Sequence, residues 1–438
     1  MSSGKIRKVN WNIVWLAGDR VLRMIVGLVV IGMVADYLEP VRYGSLEWAV
    51  TMRDLFLAVA MLGIDGIVIR ELVRHPERKH GILGTAFVLR LIGGCIALLL
   101  VYLSSLLTGK STSVLTPLNL IVALAFFPQA FDVIDLWFQK NIQSKYTVVA
   151  KTVALLIGSG IKITFVIQGR PLYWFGWALM FDFVLNAMAL MVVYRNRDEQ
   201  ILLWRPSFQI GTRILKDSWP LIFSGLLIAL YQTIERIFVM DFLGGYQLGI
   251  YSTSVRVTQM WMFIPGTILA SIYPILVEQK RRNESEYRRQ LQLVFDFLTA
   301  LGFITALGVS LGAPLIISLV FGEVYADAST ILMIQAWSAP ITFSGSVRAQ
   351  YFLLENFTIY HTISAVLGMA FNVTAAVLLM PEYGAVGAAL GGLIGYWVAG
   401  YLSSLIFRDL RDCALIQTKA FLFPFRLRWI YRELRRFK

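Results

Sequence analysis

Long apolar stretches recur along the whole chain and constrain its fold more than any other feature. A helix needs roughly 20 mostly apolar residues to cross about 30 Å of hydrocarbon. Hydrophobic residues make up 57% of the chain and charged residues only 15%, which is outside the range of globular domains. The sequence therefore predicts an all-α polytopic membrane protein. Its twelve candidate spans lie near residues 11–35, 44–67, 82–107, 117–139, 146–168, 172–194, 217–242, 249–276, 291–319, 329–354, 359–380 and 385–408.

The positions of the basic residues orient the chain in the membrane. If the N-terminus lies in the cytoplasm, the outer loops hold only Arg42, Lys110 and Arg170, and nine basic residues fall within the spans. All other Lys and Arg residues then face the cytoplasm, as the positive-inside rule requires. The net charge of +13 is thus explained by topology. We expect cytoplasmic N- and C-termini and no nucleic-acid partner.

Cysteine and histidine carry little functional information. Cys95 falls inside the third predicted span and Cys413 follows the last one. No His, Cys or carboxylate spacing matches a known metal-ligand set. The sequence therefore predicts no disulfide framework, no metal site and no cofactor.

Two stretches at equivalent places in the chain indicate an internal repeat. VADYLEPVRYGSLEWAV (Val34 to Val50) aligns without a gap on VMDFLGGYQLGIYSTSV (Val239 to Val255) at a constant offset of 205 residues. Chance similarity between hydrophobic segments is the alternative, but the matching Asp and Gly residues favour a repeat. We predict two pseudo-symmetric six-helix bundles. The predicted segments are a first half at 1–194, a cytoplasmic linker at 195–216, a second half at 217–408 and a basic amphipathic tail at 409–438. Residues 424–438 of the tail form either an amphipathic helix on the inner leaflet or a disordered segment.

Charged side chains within the spans are the main candidates for a functional site. A charge at the bilayer centre costs about 2.5–3.5 kcal/mol on insertion scales. Such residues either pair across helices and specify packing, or line a hydrated cavity. Packing is the favoured interpretation for Asp132, Asp135, Lys151, Arg348 and the Asp19–Arg23 pair.

Five arginines in both predicted halves favour the cavity instead. Arginine stays protonated and binds phosphate oxygens bidentately. A cavity that they line would accept an anionic, phosphorylated substrate. The five are Arg20, Arg23, Arg53, Arg236 and Arg256.

Several motifs resemble the O-antigen and exopolysaccharide flippases, the Wzx-type members of the multidrug/oligosaccharidyl-lipid/polysaccharide (MOP) exporter superfamily. The likeness covers nearly the whole chain. The motifs are Trp15 with Asp19, Arg20 and Arg23, then YLEPVRYGSLEWA, LGIDGIVIREL, LGIYSTSVRVTQMWMFIPGTILASIYPIL and FGEVYADASTILMIQAW.

The resemblance implies a central cavity lined by the first two helices of each half. It implies alternating-access transport of undecaprenyl-pyrophosphate-linked oligosaccharide across the bacterial inner membrane, for O-antigen, lipopolysaccharide or exopolysaccharide assembly. A proton or sodium gradient would drive it, and membrane lipid, a polysaccharide polymerase and the chain-length machinery would be partners. Arg20, Arg23, Arg53 and Arg256 become candidates for the pyrophosphate, and Arg236 is a further candidate for substrate binding.

The resemblance also makes Asp54, Glu235 and Asp19 candidates for ion coupling. Low dielectric favours the protonated carboxyl, but a permanent salt bridge to Arg53 or Arg236 would keep Asp54 or Glu235 ionised. Four aromatic residues on the same helices could stack on sugar rings or simply pack. They are Trp48, Tyr231, Tyr251 and Trp261.

Three rival functions remain for this sequence. A multidrug or organic-ion exporter of the same superfamily would prefer a carboxylate-rich cavity. A lipid II flippase would have two additional helices. A glycan polymerase or ligase would need a substantial outer loop, and no loop here is large enough to form a catalytic domain. We therefore expect no enzymatic activity and name no catalytic residue.

Overall fold

The fold is built from helices that form two compact units. A computed structural model of the chain describes residues 3–107, 113–197 and 199–422, with side chains from residue 22 onward except at position 358. Helix is the only regular secondary structure in these ranges. The units are Met1–Ile237 and Phe238–Lys438.

The first unit holds the first six predicted spans and most of the seventh. The short helices α4, α5 and α6 follow one another and together make one span, Leu115–Lys140. The helices of the first unit are α1 (Ser3–Met61), α2 (Asp65–Arg74), α3 (Lys79–Leu107), α4 (Leu115–Ala123), α5 (Phe126–Gln129), α6 (Val133–Lys140), α7 (Ser144–Ile167), α8 (Leu172–Arg195) and α9 (Phe208–Phe238).

A sharp break divides α1 into the first two predicted spans. Glu39 has φ 59° and ψ 164°, and Pro40 follows it. Proline has no amide hydrogen to donate to the preceding turn, and its ring clashes with the carbonyl four residues back. The helix is therefore interrupted here without a long loop.

The second unit begins with a π-helical turn at Val239–Leu243, directly after α9. A second π-helical turn, Val398–Leu402, joins α16 to α17. The helices of this unit are α10 (Gly244–Thr258), α11 (Ile264–Arg282), α12 (Glu284–Phe321), α13 (Ala328–Ala336), α14 (Ala339–Leu354), α15 (Thr358–Tyr383), α16 (Ala385–Trp397), α17 (Ser403–Ile406) and α18 (Arg411–Phe421).

The backbone repeats where the sequence repeats. Glu39, with φ 59° and ψ 164°, lies 205 residues before Gly244, which has φ 82° and ψ −177°. Each of the two follows the first spanning helix of its half. The predicted pair of pseudo-symmetric bundles therefore shares an unusual backbone conformation at equivalent positions.

The predicted spans coincide with the observed helices. By length and hydropathy, eight stretches of the described residues can cross a membrane, and one of them, Phe208–Thr258, holds parts of two predicted spans. The other predicted spans fall on α1 with α2, on α11 and on α13 with α14. The prediction of an all-α, polytopic, twelve-span protein is confirmed.

The predicted linker packs on the first unit. Helix α9 begins at Phe208, nine residues before the predicted start at 217. Trp204 Nε1 donates to the Tyr194 hydroxyl at 3.3 Å, and the Arg205 amide donates to the His80 carbonyl at 3.2 Å. A Cβ at Gly84 would lie 3.0 Å from the Arg205 nitrogen. The absence of a side chain at Gly84 thus lets this segment lie directly on α3.

Helix α18 folds back along the last spanning helix. Gln417 Nε2 donates to the Gly400 carbonyl at 2.9 Å, and the Tyr401 and Thr418 hydroxyls are 2.7 Å apart. The Phe421 ring lies 5.2 Å from that of Trp397. Residues 411–421 of the predicted tail are therefore packed within the second unit. The amphipathic pattern predicted for residues 424–438 lies outside the described residues.

Candidate functional site

The first of the predicted arginines ties two helices together. Arg23 Nη2 donates to the Val148 carbonyl of α7 at 2.7 Å. The side chains of Asp19 and Arg20 lie outside the described set. Arg23 therefore contributes to the contact between α1 and α7. The prediction of a substrate-binding residue did not include this packing contact.

Arg53 and Asp54 form the centre of a polar site in the first unit. Arg53 donates to Asp54 Oδ1 through Nε at 3.1 Å and Nη2 at 2.5 Å. The side chains are only 16% and 30% exposed. The Arg53 guanidinium carbon also lies 4.9 Å from the centre of the Phe183 ring on α8, a cation–π distance. The sequence-adjacent pair is thus held against α8, 129 residues away.

A second ion pair lies beside this site. Lys162 of α7 pairs with Asp182 Oδ2, and the two side chains are 11% and 28% exposed. Asp182 precedes Phe183 and is close enough to Arg53 for their opposite charges to interact. A Cβ on Gly158 would collide with Asp182 Oδ1. The bare backbone of Gly158 thus makes room for the carboxyl between α7 and α8. We call Arg53, Asp54, Lys162, Asp182 and Phe183 the Arg53 cluster.

The structure separates Arg23 from the Arg53 cluster along α7. Val148, which accepts from Arg23, precedes Lys162 by fourteen residues. At 1.5 Å per residue that is about 21 Å along the helix. The contact of Arg23 with α7 and the contact of Lys162 with α8 therefore lie at different heights along α7.

A further group of charges lies nearer the predicted cytoplasmic end of the first unit. Lys151 Nζ is 2.8 Å from Asp135 Oδ2 and 3.9 Å from Asp132 Oδ1. Asn186 Nδ2 donates to Asp132 Oδ1 at 3.2 Å. These contacts join α6, α7 and α8. They match the packing interpretation of Asp132, Asp135 and Lys151.

Arg90, one of the nine basic residues within the predicted spans, is buried on α3. Its Nη2 lies 2.5 Å from Asp65 Oδ1, with side chains 2% and 59% exposed. Nε and Nη1 of Arg90 are buried without a hydrogen-bond partner among the described residues. The only available signal was a charged residue within the third apolar stretch.

The other predicted charges lie on α9 and α10. Arg236 is buried and Glu235 is partly buried, both near the end of α9 in the first unit. Arg256 is partly buried on α10 of the second unit. Arg348, for which packing was favoured, is buried on α14. Its Nη1 donates to Ser403 Oγ at 3.1 Å and to Ser404 Oγ at 2.9 Å.

Three of the four aromatic candidates are enclosed by protein. Trp48, Tyr251 and Trp261 are buried, while Tyr231 is half-buried. Packing accounts for the three buried rings, which present no face to a sugar in this structure. Hydropathy could not separate these alternatives, since an aromatic residue on a cavity wall has the same local sequence as one in a core.

The described residues include no group of three or more His, Cys, Asp and Glu side chains arranged to hold a metal ion. Several charged groups in the spans of the first unit are instead combined as acid–base pairs, such as Arg53 with Asp54 and Lys162 with Asp182. In the Arg53 cluster, one carboxylate and one ring face hold the Arg53 guanidinium. A phosphate could bind this guanidinium in place of the carboxylate.

Known proteins similar to this chain act in polysaccharide synthesis. A family model described as polysaccharide biosynthesis protein matches residues 33–330, more than half of the chain. The capsular polysaccharide biosynthesis protein CapF of Staphylococcus aureus is 29% identical over 190 residues, which are 41% of this chain and 46% of CapF. The chain thus matches less than half of that relative's length.

Solved structures of transporters have a similar fold. A structure of the lipid II flippase MurJ matches with a TM-score of 0.70 and 14% identity, over 93% of this chain and 91% of that one. An inward-facing multidrug resistance MATE family transporter of the MOP superfamily matches with a TM-score of 0.67 and 15% identity, over 91% and 96%. At such identities the likeness concerns the fold alone. The family model and the fold both agree with the resemblance predicted from the sequence. The chain belongs to the polysaccharide biosynthesis protein family and has the fold of the MOP superfamily.

Proposed function

We propose that this multi-pass protein is a flippase for undecaprenyl-pyrophosphate-linked oligosaccharide repeat units, acting in O-antigen or exopolysaccharide assembly. The observation that carries the proposal is Arg53, a mostly buried guanidinium between Asp54 and Phe183 within the spans. Charges at membrane depth are costly and usually mark a substrate path. In a polysaccharide biosynthesis protein, the anionic group to be moved is the lipid-linked pyrophosphate.

Exchange of anions at Arg53 would let the pyrophosphate bind. Asp54 accepts from Arg53 through one oxygen only. A phosphate offers two oxygens to the guanidinium fork and can take the place of that carboxylate. Phe183 would keep the guanidinium plane in position during the exchange. Arg20, Arg23, Arg236 and Arg256 remain further candidates for contacts to the substrate.

The same exchange connects substrate binding to ion uptake. When Arg53 turns to the phosphate, Asp54 loses its counter-ion, and an uncompensated buried charge is strongly unfavourable. Uptake of a proton removes that charge, and a sodium ion would compensate it. Asp54 is therefore the first coupling candidate, with Glu235 and Asp19 as the others.

Transport by this protein would take place within one membrane. The protein lies in the bacterial inner membrane with both termini in the cytoplasm, and its two six-helix halves alternate access to a central cavity. The polymerase and chain-length machinery act on the delivered units. The fold is shared with multidrug transporters, so drug export is the rival function that the experiment must separate.

Complementation tests this function. In a strain that lacks its own copy of the gene, wild type should restore surface polysaccharide. Arg53→Ala and Arg256→Ala should lower it at equal protein level. Hydrogen bonds to charged groups are worth about 1.5–3 kcal/mol, so the expected loss of transport rate is about tenfold or more. Arg53→Lys keeps the charge but not the bidentate geometry and should give an intermediate level.

The matched control is Arg42→Ala, which removes an exposed arginine outside the spans. It should restore polysaccharide fully. If wild type confers drug resistance and no polysaccharide, the protein is an exporter. Full activity of both Arg53→Ala and Arg256→Ala would remove the phosphate role of the arginines.

A further inference from the structure

Arg53 has two carboxylates within reach of its charge. Asp54 receives its hydrogen bonds, and Asp182 precedes the ring on which the guanidinium rests. Asp182 Oδ1 is buried and has no hydrogen-bond partner among the described residues. Without a further cation, the pair of acids would surround Arg53 with excess negative charge. A phosphate would then be repelled.

Lys162 supplies the missing positive charge. It reaches Asp182 from α7 and pairs with Oδ2, on the same carboxyl whose Oδ1 faces Gly158. The formal charges of Arg53, Asp54, Lys162 and Asp182 then sum to zero. Only Asp54 remains to be exchanged when an anion arrives.

We infer that Lys162 is a positioning residue for the phosphate site: by holding Asp182, it keeps the Arg53 guanidinium available to a pyrophosphate-bearing lipid. This role deepens the proposed function and rests on it. Lys162 itself does not touch the phosphate. Its removal lets Asp182 capture Arg53, so the double change that also removes the Asp182 charge restores the site.

A purely structural ion pair between α7 and α8 gives a different pattern. Breaking a buried pair by removing one partner is destabilising, because it leaves a buried charge. That effect acts on folding and on protein yield. Binding of a ligand to the folded fraction would be unchanged, and an uncharged lipid of equal length would bind as well as before.

The test measures binding of farnesyl pyrophosphate to the full-length protein in nanodiscs, with farnesol as the uncharged control. We expect Lys162→Met to weaken farnesyl pyrophosphate binding about tenfold, or about 1.4 kcal/mol. Lys162→Arg should bind as wild type does. The double variant Lys162→Met/Asp182→Asn should return to within about threefold of wild type. Farnesol binding should be equal in all four proteins.

Several outcomes would overturn the inference. One is that Lys162→Met binds farnesyl pyrophosphate as tightly as wild type does. Another is that the double variant binds it as weakly as Lys162→Met does. If Lys162→Met yields no folded protein, Lys162→Gln replaces it, because glutamine is polar enough to be tolerated but removes the positive charge that neutralises Asp182. Unchanged binding by Lys162→Gln then refutes the role.

Arg53→Ala separates this inference from the proposed function. If Arg53→Ala loses farnesyl pyrophosphate binding while Lys162→Met keeps it, the phosphate site stands and the positioning role fails. If Arg53→Ala binds as wild type does, the phosphate site fails and the role of Lys162 fails with it.

Discussion

Glu39 has a backbone conformation that is almost restricted to glycine. With φ 59° and ψ 164°, it lies in a region where a side chain costs about 1–3 kcal/mol. Its side chain is exposed. The equivalent residue of the second half is Gly244, where an added Cβ would meet nothing within 4 Å. One half of the repeat thus has glycine at this turn and the other does not.

Glu39→Gly should stabilise the protein. Relief of the strained φ should raise stability by about 1 kcal/mol or more, seen as a higher apparent unfolding temperature of the detergent-purified protein. Gly244→Ala should lower it, since the space is open and only the backbone is affected. The control is Glu278→Gly on helix α11, an exposed helical site where glycine costs about 1 kcal/mol. A lower unfolding temperature for Glu39→Gly would show that the glutamate itself is needed.

Among the elements, α18 differs most from its predicted form. Its buried side chains, Cys413, Ala414, Gln417 and Ala420, face the second unit. Gln417 also donates to Ser344 Oγ of α14 at 3.1 Å. Burial raises the pKa of the Cys413 thiol to about 12. A helix that rested on the lipid surface would leave this thiol near its ordinary value.

Thiol labelling distinguishes these positions of α18. In a Cys95→Ser background, Cys413 should react with maleimide about a hundredfold more slowly than a cysteine at exposed Arg411, because only the thiolate reacts. Since the folded pKa is raised, the thiol stays protonated through neutral pH. Its contribution to stability is present below the unfolded pKa and is lost as pH rises from there toward about 12. Equal labelling rates for Cys413 and the Arg411→Cys, Cys413→Ser control would place α18 on the surface.

For the whole molecule, the repeat and the charge distribution both predict the same membrane topology. An offset of 205 residues relates the turns at Glu39 and Gly244. Two halves with six spans each must enter the membrane from the same side. With the cytoplasmic N-terminus that we propose, the sequence positions of Arg42, Lys110 and Arg170 would fall in outer loops and the remaining loop cations in the cytoplasm.

Reporter fusions check this topology. Alkaline phosphatase is active only outside the cytoplasm, so a fusion after residue 170 should be active. Fusions after residues 205 and 283 should be inactive, and green fluorescent protein should fluoresce at the latter two sites. The expected difference in phosphatase activity is about tenfold or more. Activity at 205 or 283 would reverse the orientation that we propose.

The candidate site could be predicted only in part. Arg53 and Asp54 are neighbours in the sequence, and their mid-span position marked them as candidates. Phe183, Lys162 and Asp182 come from helices more than 100 residues away, and the contacts among them depend on which helices meet. The same holds for Arg90, whose partner Asp65 lies in another helix.

The sequence by itself determined the helical, membrane-spanning class, the number of spans, the repeat and the family. These follow from the hydropathy and order of residues, because each sufficiently long apolar stretch can form a membrane-spanning helix independently of the others. Only the tertiary structure decided where α9 begins, that the linker and α18 pack on their units, and that Lys162 holds Asp182 beside Arg53. A polar residue of the linker, such as Arg205 beside Trp204, has the same local sequence whether it faces water or a protein surface. Long-range contacts between helices, which local hydropathy does not encode, decide between the two.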